Sequence, residues 1–239
     1  MKRDGIIFLS ALGLILLSSL IAAVRVVPVL SPSQLTNTPT LILDAGHGGE
    51  DGGASSASGH KESDINLSIV LKLEALMAFL GTDTVLTRSE DISIHDSGCN
   101  TLREKKVSDL KNRVSLIRNT PNAMLISVHQ NTFTDSRYQG AQVFYGMGDL
   151  SSQWGSFTQD LIRAVLDPGN NRKAALIPEH VYLFSHIDCP AILVECGFLS
   201  NGEEASLLLT DVYQRKLAMT LAGAFLHELQ MIPNPLGGE

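Results

Sequence analysis

His47 and His129 each stand where a short apolar run ends, Leu41 to Leu43 in one case and Met124 to Val128 in the other, and Glu195 follows a third run, Ala191 to Val194. Imidazole and carboxylate are the donor types of catalytic zinc sites, in which three protein ligands leave a fourth position open. Structural zinc sites close the shell with four protein ligands, often thiolates, and no cysteine lies near either histidine in the sequence. A carboxylate held off the metal can take a proton from water activated there. Glu195 at the end of an apolar strand is costly unless it is paired or functional. The plainer readings are a βα turn with an incidental His47 and a structural ion pair at Glu195.

The stretch that holds His47 carries glycines at 46, 48, 49, 52 and 53. So much glycine raises the entropic cost of folding and makes sense where the backbone takes φ > 0 or approaches another group closely. Beyond it, Ile65, Ile69, Leu73, Leu76 and Leu80 form one apolar stripe of a helix that Gly81 ends and that Ser63 or Asp64 caps. Glu62 then stands just ahead of the first turn, where the helix dipole favours an acid in any case.

The elements that must position these groups alternate along the chain. Strands are predicted at 41–43, 82–87, 124–128, 141–145, 181–184 and 191–194. Helices are predicted from the stripes Val107, Leu110, Val114, Ile117 and Phe157, Leu161, Val165, from Asn201 to Glu204, and from Tyr213, Leu217, Leu221, Phe225, Leu229. The pattern predicts an α/β fold: a single three-layer domain whose central sheet is mostly parallel or mixed, with helices on both faces. Functional groups gather at the carboxyl ends of strands in such sheets. Arg103, Glu104, Lys105, Lys106 and Lys111 read as a solvated helix face.

The chain has 239 residues, 44% of them hydrophobic, and a net charge of −7, which disfavours nucleic acid as a partner because no basic patch supplies phosphate contacts. Cys99, Cys189 and Cys196 lack the spacing of a disulfide framework or a CxxC site; the last two read as buried thiols. Lys2 and Arg3 precede a charge-free apolar run from Ile6 to Val24, long enough to span a bilayer as a hydrophobic helix. An uncleaved anchor is favoured over a cleaved signal peptide, since no clean small-x-small site ends the run. In either case the remainder is expected outside the cytoplasmic membrane. The expected organisation is an anchor or signal segment over 1–25, a linker over 26–39, a catalytic domain over 40–231 and a flexible tail over 232–239.

The motifs Asp44-Ala-Gly-His-Gly-Gly-Glu-Asp-Gly-Gly53, Glu62, Ile126-Ser-Val-His-Gln-Asn131 and Val194-Glu-Cys-Gly-Phe-Leu-Ser-Asn201 appear in order. With them the chain resembles the zinc-dependent N-acetylmuramoyl-L-alanine amidases from about residue 40 to 230. The resemblance makes His47, Glu62 and His129 the ligands of one zinc ion per domain and Glu195 the catalytic carboxylate. It implies hydrolysis of the amide between the muramic acid lactyl group and L-alanine of peptidoglycan stem peptides. The departures, Ala45, Gln130 and Cys196, remove no ligand.

Within the family the likeness is greatest to the germination-specific, spore-cortex branch, supported by Arg113-Val-Ser-Leu-Ile and Gly140-Ala-Gln-Val-Phe-Tyr. That likeness implies a role in cortex maturation leading to muramic δ-lactam, and an activating lipoprotein partner. The alternatives are a vegetative wall amidase or autolysin, and a non-catalytic wall-binding module on the same fold. Arg172 and His186 are candidates for lining the substrate groove. His60, His95, His180 and His227 read as surface, loop or core residues.

Overall fold

The computed structural model describes residues 39–232. The expected hydrophobic segment over 1–25, the linker up to residue 38 and residues 233–239 of the expected tail lie outside the described residues. In chain order the elements are β1 (Thr40–Ala45), α1 (Glu62–Phe79), β2 (Thr84–Leu86), α2 (Leu102–Asn119), β3 (Ala123–Asn131), β4 (Gln142–Tyr145), α3 (Asp149–Val165), β5 (Ala175–Leu176), α4 (Tyr182–Ser185), β6 (Ala191–Phe198), α5 (Gly202–Leu208) and α6 (Asp211–Met231).

The six strands form one sheet in the order β2-β1-β3-β6-β4-β5. β2, β1, β3 and β6 run parallel, β4 is antiparallel to β6, and β5 is parallel to β4. Central parallel strands are covered on both faces, so they read as unbroken apolar runs rather than as alternations. Their side chains nevertheless divide by parity. Leu41, Leu43, Ile126, Val128, Ile192 and Val194 join one core with Ile69 and Leu73 of α1, Trp154 of α3 and Leu221 and Phe225 of α6. Ile42, Leu125 and Leu193 face the other way, against Val114 and Ile117 of α2 and Leu183 and Phe184 of α4. The three-layer α/β arrangement with a mixed sheet is therefore present.

Three expectations change. α1 begins at Glu62 itself, and neither Ser63 nor Asp64 caps it; the preceding residue, Lys61, makes no side-chain cap either. The glycine loop does that work from its backbone: the Glu62 N–H donates to Ala54 O at 2.8 Å and the Ser63 N–H to Gly52 O at 3.1 Å. The predicted strand over 181–184 is the short helix α4, with the Ser185 N–H donating to Val181 O. An apolar run of four residues carries no period long enough to separate helix from strand. β6 continues through Glu195 to Phe198, so Glu195 sits inside a strand rather than at its end.

Candidate metal centre and active site

The loop after β1 is held from beneath by two arginines, each about 97–98% buried. Arg113 of α2 donates from Nη1 to Ala45 O at 2.9 Å and from Nη2 to His47 O at 2.7 Å. Arg88, just past β2, donates from Nε to Ala45 O at 2.9 Å and from Nη2 to Gly46 O at 3.1 Å and Ser63 O at 2.8 Å. Three consecutive loop carbonyls thus meet guanidinium hydrogens, and Arg88 ties the His47 loop to the start of α1. Arg113 also pairs with Asp44 and Asp109. Burial raises the Asp44 carboxyl, but Arg113 and the hydroxyls of Ser127 and Thr87 outweigh it and hold it at about 2.

The loop is strained where the chemistry lies. His47 has φ of +62°, a left-handed conformation uncommon outside glycine and found at sites the surrounding structure over-determines. Gly46 is needed for a different reason: a Cβ there would fall inside the imidazole of His129.

His47, Glu62 and His129 come together. One donor atom from each lies within 4.8 Å of the others. Glu62 Oε1 is 3.0 Å from His129 Nδ1 and 3.3 Å from His47 Nε2. Glu62 is 4% exposed, and its carboxylate also accepts from the Ala54 N–H at 2.9 Å and the Gln130 N–H at 3.0 Å. Burial opposes ionisation of Glu62, yet the two imidazoles outweigh it and hold the carboxyl well below the usual range. Burial likewise lowers His47, but Asp51 and Glu62 outweigh it and raise it to about 9. Two imidazoles and one carboxylate converge, with His47 held also by Asp51 and Glu62 by backbone N–H groups, and they fit a catalytic zinc ion by donor chemistry.

Glu195 lies beside this group. Its register partner across the parallel β3–β6 ladder is His129, so the two residues share a sheet face. Its Oε2 is buried with no hydrogen-bond partner among the described residues, and burial raises its carboxyl. His47, His129 and Glu195 open into a cavity of about 320 Å³ between α2 and α4, walled also by Lys106, His180 and Tyr182.

The groove candidates separate. His186 stacks on Tyr182 with ring centroids 4.0 Å apart, and it is His180 and Tyr182, not His186, that reach the cavity wall. Arg172 lies outside that cavity, bonded to Gln142, the register partner of Glu195 on the other side of β6. The charge run on α2 is not simply a solvated face: Lys105 bonds Glu50 at 2.6 Å and Lys106 bonds Asp51 at 3.1 Å, which fastens α2 to the glycine loop. Cys196 is buried and Cys189 half-buried; all three cysteines are free, and burial raises the Cys189 thiol to about 11. Sequence reasoning passed over Asp51, whose Oδ2 is 3.0 Å from His47 Nδ1. A signal existed: an acid four residues after a candidate ligand, inside a glycine-rich loop, is placed to orient the ring.

Known proteins resemble this chain in fold and sequence over most of the described residues. A family model described as N-acetylmuramoyl-L-alanine amidase matches residues 41–226. The germination-specific N-acetylmuramoyl-L-alanine amidase of Bacillus subtilis is 34% identical over 182 residues, 76% of this chain and 76% of that protein. The CwlD amidase of Clostridioides difficile, solved in complex with the GerS lipoprotein, is 38% identical with a TM-score of 0.77, over 81% of this chain and 99% of that one. A further N-acetylmuramoyl-L-alanine amidase structure, from Clostridium difficile 630, is 26% identical with a TM-score of 0.72, over 82% and 100% of the two chains. On the motifs, the fold and these matches, the chain belongs to the N-acetylmuramoyl-L-alanine amidase family and is an enzyme acting on peptidoglycan.

Proposed function

We propose that His47, Glu62 and His129 hold one zinc ion, that Glu195 is the catalytic carboxylate, and that the enzyme strips stem peptides from muramic acid during spore-cortex maturation. The observation that carries the reading is the clustering of three donor atoms within 4.8 Å beside an unpartnered carboxylate oxygen of Glu195. Zinc in that position supplies Lewis acidity, activating water and polarising a carbonyl. Glu195 accepts a proton from the attacking water and returns it to the amine of L-alanine as the C–N bond breaks. Asp51 fixes the ring of His47, and the walls of α2 and α4 seat the muramoyl–alanine bond over β3 and β6. The products are a free lactyl carboxylate and a stem peptide with a free amino terminus.

The cortex role rests on likeness to the Bacillus subtilis germination-specific enzyme and to CwlD. Peptide-free muramic acid is the species from which muramic δ-lactam forms. Because CwlD was solved with a lipoprotein, an activating lipoprotein is proposed as a partner here also. The apolar run Ile6 to Val24 is proposed to hold the catalytic domain at the outer face of the membrane.

The test is product analysis on intact peptidoglycan by mass spectrometry. New L-alanine amino termini and peptide-free muramic acid are expected with zinc, are lost on chelation and return with zinc. His129→Ala is expected to lose most bound metal by elemental analysis; full occupancy would sink the ligand assignment. A strain lacking the protein should make cortex without muramic δ-lactam, and a normal δ-lactam content would favour the vegetative-wall alternative.

A further inference from the structure

Beyond Glu195, on the opposite side of β6 from His129, the structure holds a second oriented group. Gln142 of β4 is the antiparallel register partner of Glu195, so the two side chains project from the same sheet face. Gln142 Oε1 accepts from Arg172 Nη1 at 3.0 Å, and its Nε2 donates to Lys173 O at 3.1 Å. Arg172 Nε donates to Gln139 O at 2.9 Å. The guanidinium carbon lies 4.6 Å from the ring centre of Phe198, which is itself buried. The backbone is fixed as well: the Arg172 N–H donates to Asn170 Oδ1, and Arg172 O accepts from Arg163. A guanidinium held by two hydrogen bonds and an aromatic face has lost most of its rotamer freedom before any ligand arrives.

Among the described residues this cation makes no ion pair, although its charge acts on the carboxyl of Glu204. Arg137, Arg163 and Arg215 each pair with an aspartate nearby in sequence. Arg172 has no carboxylate within ion-pair distance among the described residues. The oxygens of Glu204, whose carboxyl Arg172 influences, are occupied by the N–H groups of Gly140 and Phe198. Arg172 is half-buried, and its Nη2 has no protein acceptor among the described residues. In a chain of net charge −7, a rigid cation facing solvent beside the site is a recognition element rather than part of a bulk field.

The substrate's own chemistry selects the occupant. N-acetylated sugars carry no charge, and the lactyl carboxyl is tied up in the scissile amide. The stem peptide carries free carboxylates, beginning with the residue after L-alanine, which lies about 3.3–3.6 Å of chain further on. Arg172 reaches Gln142, the residue paired with Glu195 across the β4–β6 ladder, so it lies on the side of Glu195 away from His129. We propose that Arg172 is a specificity-determining residue that binds the free carboxylate of the second stem residue, so that the enzyme selects stems carrying the acid over stems in which that carboxyl is amidated. The inference rests on the reading of Glu195 as the catalytic carboxylate.

The experiment compares N-acetylmuramoyl-L-alanyl-γ-D-glutamyl-L-lysine with its D-isoglutaminyl counterpart, in both of which the γ-carboxyl is taken up in the bond to lysine, using the zinc-loaded full chain and measuring kcat and KM for each. The wild type should prefer the acid by on the order of tenfold or more in kcat/KM, the low end for a hydrogen bond to a charged group. In Arg172→Met that preference should fall to near one, chiefly through a higher KM for the acid, and Arg172→Lys should restore part of it. Melting temperatures of both variants report any general damage, which moves kcat/KM for the two substrates together and not their ratio. A preference unchanged in Arg172→Met, or an equal fall on both substrates, overturns the assignment. Failure of the Glu195 reading shows elsewhere, as surviving turnover in Glu195→Gln.

Discussion

Asp51 Oδ2 lies 3.0 Å from Nδ1 of His47, four residues earlier, and turns the opposite ring nitrogen, Nε2, towards Glu62. The imidazole is thus oriented from behind by a carboxylate that is not itself among the three clustered donors. Asp51→Ala should weaken zinc affinity by roughly 10–100-fold, the usual effect of losing such a partner, while all three donors remain. Competition with a chelator of known affinity measures it. Unchanged affinity would show that Asp51 serves its contacts with Lys106 and the Gly53 N–H rather than the metal site.

Glu195→Gln separates chemistry from binding. The amide keeps the size of the side chain but cannot accept a proton as a carboxylate does. Zinc content and melting temperature should stay near wild type, and turnover on muropeptide should fall by at least roughly 10²-fold. Parallel loss of zinc would make Glu195 a ligand and return Glu62 to question.

Gly46→Ala tests the packing of the loop against His129. The added methyl occupies the place of the His129 ring, so ring or backbone must move, at a cost of about 1–3 kcal/mol. Zinc affinity should drop with stability. Gly59→Ala is the control, with φ of +84° and nothing within 4 Å of the new Cβ. It should carry only the backbone cost of about 1–2 kcal/mol and leave zinc affinity intact.

Asp44 gives a pH dependence. Its carboxyl sits at about 2 in the fold against an ordinary 3.8. Between those values the unfolded chain binds more protons, so stability rises with pH there. The contribution is full above the unfolded value and is lost as pH falls from about 3.8 towards 2. Melting temperature measured across that window should fall more steeply in wild type than in Asp44→Asn. Equal slopes would mean that other carboxylates carry the acid sensitivity. Arg113→Met leaves Asp44 buried without its partner and should destabilise by about 3–5 kcal/mol at neutral pH.

The central strands and long helices were legible because each repeats its pattern several times: Ile65, Ile69 and Leu73 line one face of α1, and Leu41 to Leu43 and Ala191 to Val194 are the unbroken apolar runs of strands covered on both sides. His129 and Glu195 were legible because polar groups on such strands are unusual, and His47 because it follows one closely in a glycine-rich loop. Local signals failed where a group distant in sequence supplied the partner. Ser63 looked like a cap, yet the carbonyls of Gly52 and Ala54 cap α1. Lys106 looked like a surface charge, yet it meets Asp51 across the loop. Arg88 gave no signal at all, because its acceptors are main-chain oxygens of residues 45, 46, 63 and 90, and a carbonyl has no signature in a sequence.

The three clustered donors come from separate stretches: the loop after β1, the first turn of α1, and β3. None of these makes a pocket alone, and the last reaches the first only when β3 pairs with β1. An emerging chain therefore cannot bring the three donors together until β3 has been made and has paired with β1. If the three donors hold a metal as proposed, the compartment in which β3 pairs with β1 also decides which dissolved ions compete for them, since first-row ions differ in availability more than one such cluster can discriminate by affinity. The site is thus assembled by the pairing of β3 with β1 and β6, and a chain that stops before β3 holds only two of the three donors.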